Sequence, residues 1–172
     1  MVKLLILDVD GVLTDGTKLY SEDGFGKMKS FCDKDFTAIK RIKAAGVKVC
    51  FLSGDQNVNK SIATNRNIDF YLARGKNKKE FLQKFCKIYD CSPDEISFVG
   101  DDLFDVDLLK SIKYSFCPKD SCEEAKNSCM HVLSNKGGDN LIMELYEYLI
   151  SNNLIKKADL QSVMDLDALE KF

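Results

Sequence analysis

The chain has one histidine, His131, and no CxxC pair among its seven cysteines. Together these leave no ligand spacing for a zinc site. His131 adjoins a short apolar segment and has no partner pattern, so it reads as a structural or surface residue rather than a base. No apolar run approaches the roughly 20 residues that span a bilayer. The run at 4–7 is too short for a signal peptide and lacks a cleavage pattern. Charge of one sign is missing too: 25 basic against 27 acidic residues give a net charge of −2 and a pI near 5.5. No broad basic field invites nucleic acid. Neither a G-x-G-x-x-G fingerprint nor a Walker P-loop occurs, nor any internal repeat or low-complexity linker.

What is present is ordinary for a soluble globular protein: 172 residues, 45% hydrophobic and 30% charged. The cysteines are odd in number and several lie in apolar runs, as in Val49-Cys50-Phe51-Leu52. They read as reduced, packed thiols in a cytoplasmic protein that neither spans a membrane nor binds nucleic acid. Strand-like runs alternate with helical periodicity. A strand at 2–9 is followed by an alternating, turn-containing segment over about 16–31, which reads as a β-hairpin insert with its turn at 21–24. Helices are expected at 33–45, 57–66, 79–89, from about 105 to 110, at 121–126 and at 139–150. Strands are expected at 47–52, 70–72, 96–99, 114–117 and 130–133. That alternation predicts an α/β fold, a parallel sheet with helices on both faces, over residues 1–150. Residues 151–172 change character and form a tail, helical or mobile.

The first strand ends in Asp8-Val9-Asp10-Gly11. Residues i and i+2 of an extended strand face the same way, so the two carboxylates emerge together from its carboxyl end. Open α/β sheets place their ligands there. Two like charges side by side need a cation or specific hydrogen bonds, and an oxygen-only ligand set favours Mg²⁺. An acidic turn after a strand is the plainer reading of those two residues alone. Three later strand ends answer them: Ser53-Gly54-Asp55, a basic loop from Arg74 to Lys79, and Gly100-Asp101-Asp102-x-x-Asp105.

With those motifs in that order, residues 2–150 resemble the haloacid dehalogenase superfamily of phosphatases. Within it they are similar to the capless subfamily that includes 3-deoxy-D-manno-octulosonate 8-phosphate phosphatases and phosphatases of nine-carbon ulosonic acid phosphates. The resemblance implies a Rossmann-like core and a homotetramer whose hairpins meet on a central axis. It implies hydrolysis of a phosphorylated sugar acid, a small molecule, through an aspartyl-phosphate intermediate. Asp8 would be the nucleophile and Asp10 the general acid and base. Asp8, the Asp10 carbonyl and Asp101 would hold Mg²⁺, with Asp102 and Asp105 in support. Ser53, with the Gly54 N–H, would bind the phosphoryl group, and Gly11 would let the backbone N–H groups face it. Lys78 fits the family's lysine by spacing, with Lys76 and Lys79 as alternatives.

Some positions depart from the subfamily's usual pattern. Lys34-Asp35-Phe36 stands where Arg-Asp-Gly is usual, Asp55 replaces an arginine, and the arginine expected after Gly137-Gly138 is absent. An arginine is the natural bidentate partner of a sugar-acid carboxylate. Lys34 and Arg74 are the cations left to make that contact. Rival readings are a phosphatase of another small metabolite, a non-catalytic phosphate-binding or assembly module, and a signalling receiver domain. A receiver would carry its phosphoacceptor on a later strand, and here the D-x-D pair is on the first.

Overall fold

The computed structural model describes residues 1–22 and 27–171. Six strands form one parallel sheet: β1 (Leu4–Leu7), β4 (Lys48–Ser53), β5 (Asp69–Leu72), β6 (Ile96–Val99), β7 (Tyr114–Cys117) and β8 (His131–Val132), in the order β5-β4-β1-β6-β7-β8. Helices cover both faces, which explains why β1 is apolar without alternation. Leu5 and Leu7 pack with Phe36, Ile39 and Ile42 of α1 (Asp33–Ala44) and with Leu141, Leu145 and Leu149 of α6 (Leu141–Ser151). Leu4 and Ile6 point the other way. They meet Phe85 of α3 (Leu82–Ile88), Leu108 and Leu109 of α4 (Val106–Ser111) and Ala125 of α5 (Glu123–Lys126).

The topology creates the site. From β1 the chain moves outward through α1, β4, α2 (Asn57–Asn65) and β5, then returns to place β6 on the other flank of β1. Strand order reverses around β1, and ligands bind at such switch points, beyond the carboxyl ends of the strands. Asp8 and Asp101 follow the two neighbouring strands at that point.

Several elements are shorter than the sequence suggests. The first strand keeps Leu4–Leu7 and stops before Asp8, because the Val9 carbonyl is taken by the N–H groups of Val12, Leu13 and Thr14 in a tight turn. The stretch expected as one helix from 79 opens as a 3₁₀ turn, Lys78–Phe81, and becomes α-helical at Leu82. The Asn77 side chain starts that turn by accepting the Lys79 N–H at 3.0 Å. The helix expected from 121 is a single turn beginning at Glu123. The hairpin pairs β2 (Leu19–Tyr20) with β3 (Lys27–Met28), antiparallel, and the expected turn lies partly outside the described residues. The tail is helical and docked: α7 (Leu160–Asp167) lies on α1. There Lys40 meets Asp167 and Glu170, and Arg66 meets Glu170 at 2.9 Å.

Candidate active site

The β1 end sets the first carboxylate. Asp8 is held by its own N–H to the Val99 carbonyl at 3.0 Å, and its Oδ1 accepts the Val9 N–H at 2.8 Å. Its Oδ2 lies 3.0 Å from the Lys78 ammonium, which also donates to Asp105 Oδ1 at 2.6 Å. All three groups are buried. Burial pushes the Asp8 carboxyl up to about 7, with the Asp105 charge adding and Lys78 opposing. Burial works against the charge on Lys78, but Asp8 and Asp105 more than reverse this and hold its pKa above the usual lysine value. Asp105 also accepts the backbone N–H groups of Asp101 and Asp102 at 3.0 and 3.2 Å. It therefore ties the lysine to the β6 strand end.

Carboxylate oxygens of Asp8, Asp101 and Asp105 all lie within 4.8 Å of one another. Burial, then the charges of Asp8 and Asp105, push Asp101 up to about 9. Its Oδ1 is buried with no hydrogen-bond partner. A buried, oxygen-only cluster with an orphaned carboxylate oxygen fits a hard divalent cation, whose charge would reverse those shifts. Asp102 is exposed and caps the 3₁₀ turn Leu103–Asp105 by accepting the Leu103 N–H at 2.7 Å. Gly11 makes room for Asp101. Its φ is +89°, and a Cβ there would stand 2.0 Å from Asp101 Oδ2. Thr14 Oγ1 closes the same turn by accepting the N–H groups of Gly11 and Gly16 at 3.3 and 3.1 Å. Gly137 packs on it from above, where a Cβ would meet the Gly11 carbonyl oxygen at 1.9 Å.

Across a cavity of about 630 Å³, Ser53 ends β4. Its Oγ accepts the Asp55 N–H at 3.2 Å and the Asn59 Nδ2–H at 3.0 Å. Both acceptor positions are filled, so the hydroxyl hydrogen is left to donate. Asp8, Asp10, Ser53, Gly54, Arg74 and Lys78 all line this cavity. Lys34 does not: it is exposed on the first turn of α1, whose neighbour Asp35 turns inward instead and accepts the Ile142 N–H at 2.8 Å. Lys76 reaches the cavity rim, and Lys79 is exposed outside it.

Sequence reasoning missed the groups that hold Asp10. Lys29, just after β3, places its ammonium 2.6 Å from Asp10 Oδ1. Asn59 of α2 donates to Asp10 Oδ2 at 3.0 Å. Asp55, the acid that stands where the subfamily carries an arginine, is surrounded by Lys29 at 3.0 Å, Lys18 at 3.2 Å and Arg74 at 3.5 Å. Burial pushes the Asp55 carboxyl up, but Lys29 and Lys18 outweigh it and hold the group well below the usual carboxylate range. Asp55 thus gathers cations from three separate segments. The unmatched acid beside the serine was the one available sign of them.

A parallel sheet with a switch point between two acidic strand ends, a buried lysine beside them and a serine across the cavity defines a class. Residues 55–145 match the haloacid dehalogenase-like hydrolase family, and the chain belongs to it. Within that family it is a phosphatase. It is 29% identical over 150 residues to the 3-deoxy-D-manno-octulosonate 8-phosphate phosphatase of Haemophilus influenzae, covering 87% of this chain and 83% of that protein. The cobalt-bound structure of the Haemophilus influenzae deoxy-D-mannose-octulosonate 8-phosphate phosphatase superposes with a TM-score of 0.81 at 30% identity, over 87% of this chain and 88% of that one. A haloacid dehalogenase subfamily III A hydrolase from Legionella pneumophila shares the fold, with a TM-score of 0.84 at 24% identity over 97% of this chain and 90% of the other. Among the described residues, no helix is long and apolar enough to cross a membrane.

Proposed function

We propose that the protein is a Mg²⁺-dependent phosphomonoesterase acting on the phosphate ester of an acidic sugar, in two steps through Asp8. The observation that carries this is the separation of partners at the β1 end. Asp8 faces Lys78 and the Asp101–Asp105 carboxylates, whereas Asp10, two residues on, faces Lys29 and Asn59. Two carboxylates in such different settings can take different jobs.

In the first step an Asp8 carboxylate oxygen attacks phosphorus, and the bond from phosphorus to the sugar oxygen breaks. The Asp10 proton passes to that departing oxygen. In the second step water attacks phosphorus, its proton goes to Asp10, and the bond from Asp8 to phosphorus breaks to release inorganic phosphate. Lys78 faces the charge that gathers on the phosphoryl oxygens, and the Ser53 hydroxyl and Gly54 N–H donate from the opposite side. Asp8, the Asp10 carbonyl and Asp101 would hold Mg²⁺, and Asp105 holds Lys78 in place. The cation supplies charge neutralisation between nucleophile and phosphate.

The cavity rim suits a substrate with a second negative charge. Arg74 is 67% exposed on its side chain and donates Nε–H to the Gly54 carbonyl at 2.9 Å, which leaves its outer edge facing the opening. Lys18 and Lys76 stand nearby. The substrate carboxylate belongs to this rim and not to Lys34. The similarity to the octulosonate phosphatases supports an eight-carbon ulosonate 8-phosphate, with a nine-carbon ulosonate 9-phosphate as the companion candidate. Exposed Leu19, Tyr20 and Met28 on the hairpin support its role in assembling a homotetramer. The seven unpaired thiols suit the cytoplasm. The test is phosphate release across a panel of sugar-acid phosphates with and without Mg²⁺. The expected result is metal-dependent turnover highest on an ulosonate phosphate. Equal turnover of neutral sugar phosphates would overturn the substrate class.

A further inference from the structure

We infer that Lys29 and Asn59 are positioning residues for Asp10, so that the insert after the first strand is part of the catalytic apparatus of its own chain. The inference rests on the reading of Asp10 as the acid and base.

The geometry is closed on every side. The Lys29 side chain is 1% exposed, and its ammonium has three oxygens within reach: Asp10 Oδ1 at 2.6 Å, Asn59 Oδ1 at 2.7 Å and Asp55 Oδ2 at 3.0 Å. Asn59 and Asp55 accept its N–H groups and fix the flexible stem, and the ion pair with Asp10 Oδ1 completes its surroundings. The Asn59 amide is used completely as well. Its oxygen accepts from Lys29, and its nitrogen donates to Asp10 Oδ2 at 3.0 Å and to Ser53 Oγ at 3.0 Å. Asp10 is therefore contacted at both oxygens from different parts of the fold, by an ion pair from the insert just after β3 at Oδ1 and by a hydrogen bond from α2 at Oδ2. Lys18 stands further off, 3.9 Å from Asp10 Oδ2. Turning the carboxyl about its Cβ–Cγ bond toward Lys78 would break both contacts. Asn59 also joins Asp10 to Ser53, fixing the proton donor relative to a ligand of the phosphoryl group.

A lysine that only anchored the hairpin would need Asp55 and nothing more. Contact with Asp10 adds a consequence specific to the reaction, because a general acid must be aimed at the leaving oxygen. The need for that proton depends on the leaving group. Nitrophenolate departs well without it, and phenolate departs poorly.

The experiment compares kcat/KM for nitrophenyl phosphate and phenyl phosphate, which reports the step that forms the aspartyl phosphate. Lys29→Met is expected to lose about tenfold more on phenyl phosphate than on nitrophenyl phosphate, with Lys29→Arg restoring most of the difference. Asn59→Ala is expected to show the same selective loss, and it carries the test if Lys29→Met does not fold. Combining Lys29→Met with Asp10→Asn is expected to add no further selectivity, since both act on one group. Equal losses on the two esters, or no loss, in folded Lys29→Met or Asn59→Ala overturn the inference while Asp10→Asn remains selective. If Asp10→Asn is itself unselective, the acid role fails and this inference falls with it.

Discussion

Asp8, Asp101 and Asp105 illustrate how a cluster of acids is made to coexist. Their oxygens lie within 4.8 Å, and burial together with mutual repulsion pushes Asp8 up to about 7 and Asp101 up to about 9. Lys78 compensates part of that charge, and a divalent cation would compensate the rest. Asp101→Ala is therefore expected to abolish Mg²⁺ binding measured by calorimetry, while secondary structure by circular dichroism is retained. Asp8→Asn is expected to lower phosphate release by on the order of a thousandfold or more if Asp8 is the nucleophile proposed above. Retained activity in that variant would remove Asp8 from the nucleophile role. The strand-end acids were legible because each follows an apolar run that can only be a buried strand. Lys29 and Asn59 were not. Asp10 lies 19 positions from Lys29 and 49 from Asn59 in sequence, and a lysine in an alternating hairpin looks the same whether it points to water or inward.

At the scale of elements, the alternating order of strands and helices was readable, and boundaries were lost where backbone groups are diverted locally. The turn after Leu7 is an example, with three N–H groups converging on the Val9 carbonyl. The first turn of α1 shows a diversion of another kind. Asp35 faces the amino end of α6, with Oδ1 bonded to Ile142 and Oδ2 buried without a partner. Burial, only partly opposed by these backbone N–H groups, pushes its carboxyl up to about 6 from an ordinary 3.8. Between those values the folded chain binds more protons at Asp35 than the unfolded chain does. The Asp35 contribution to stability therefore falls as pH rises through that window and is level above it. Urea unfolding of wild type and Asp35→Asn from pH 4 to pH 7 checks this. The expected outcome is that the variant gains stability relative to wild type between about pH 4 and 6, and that the difference is constant beyond. A difference that does not change with pH would place the Asp35 shift elsewhere.

For the molecule as a whole, the tail is a strap. Glu170 is nearly buried and receives both Arg66 and Lys40, while the Arg66 guanidinium lies 3.5 Å over the Phe36 ring. Glu170→Gln is expected to cost about 2 kcal/mol in denaturant unfolding, since two buried cations lose their shared acceptor charge. None of the described tail residues lines the cavity of its own chain, so turnover per folded molecule is expected to stay near wild type in that variant. Sedimentation of the purified protein is expected to give a tetramer. A monomer at micromolar concentration would leave the exposed Leu19, Tyr20 and Met28 without the role proposed for them. The tail's apolar spacing is compatible with a helix but left a mobile arm equally open, because the acids that fasten it look like ordinary surface charge.

The glycine that presses on the catalytic turn carries a consequence for how the enzyme comes into being. Gly137 stands more than a hundred positions after Gly11, yet it fits against the Gly11 carbonyl, and Gly138 donates its N–H to the Val12 carbonyl at 2.9 Å. Within the sheet's chain order Asp8 comes early and the wedge that fixes its loop comes late, because β1 precedes the other five strands and Gly137 follows all of them. A nascent chain that stops short of that wedge has the acids but not the shape that uses them. A chain truncated before Gly137 is therefore expected to hold its aspartates unassembled and to release no phosphate.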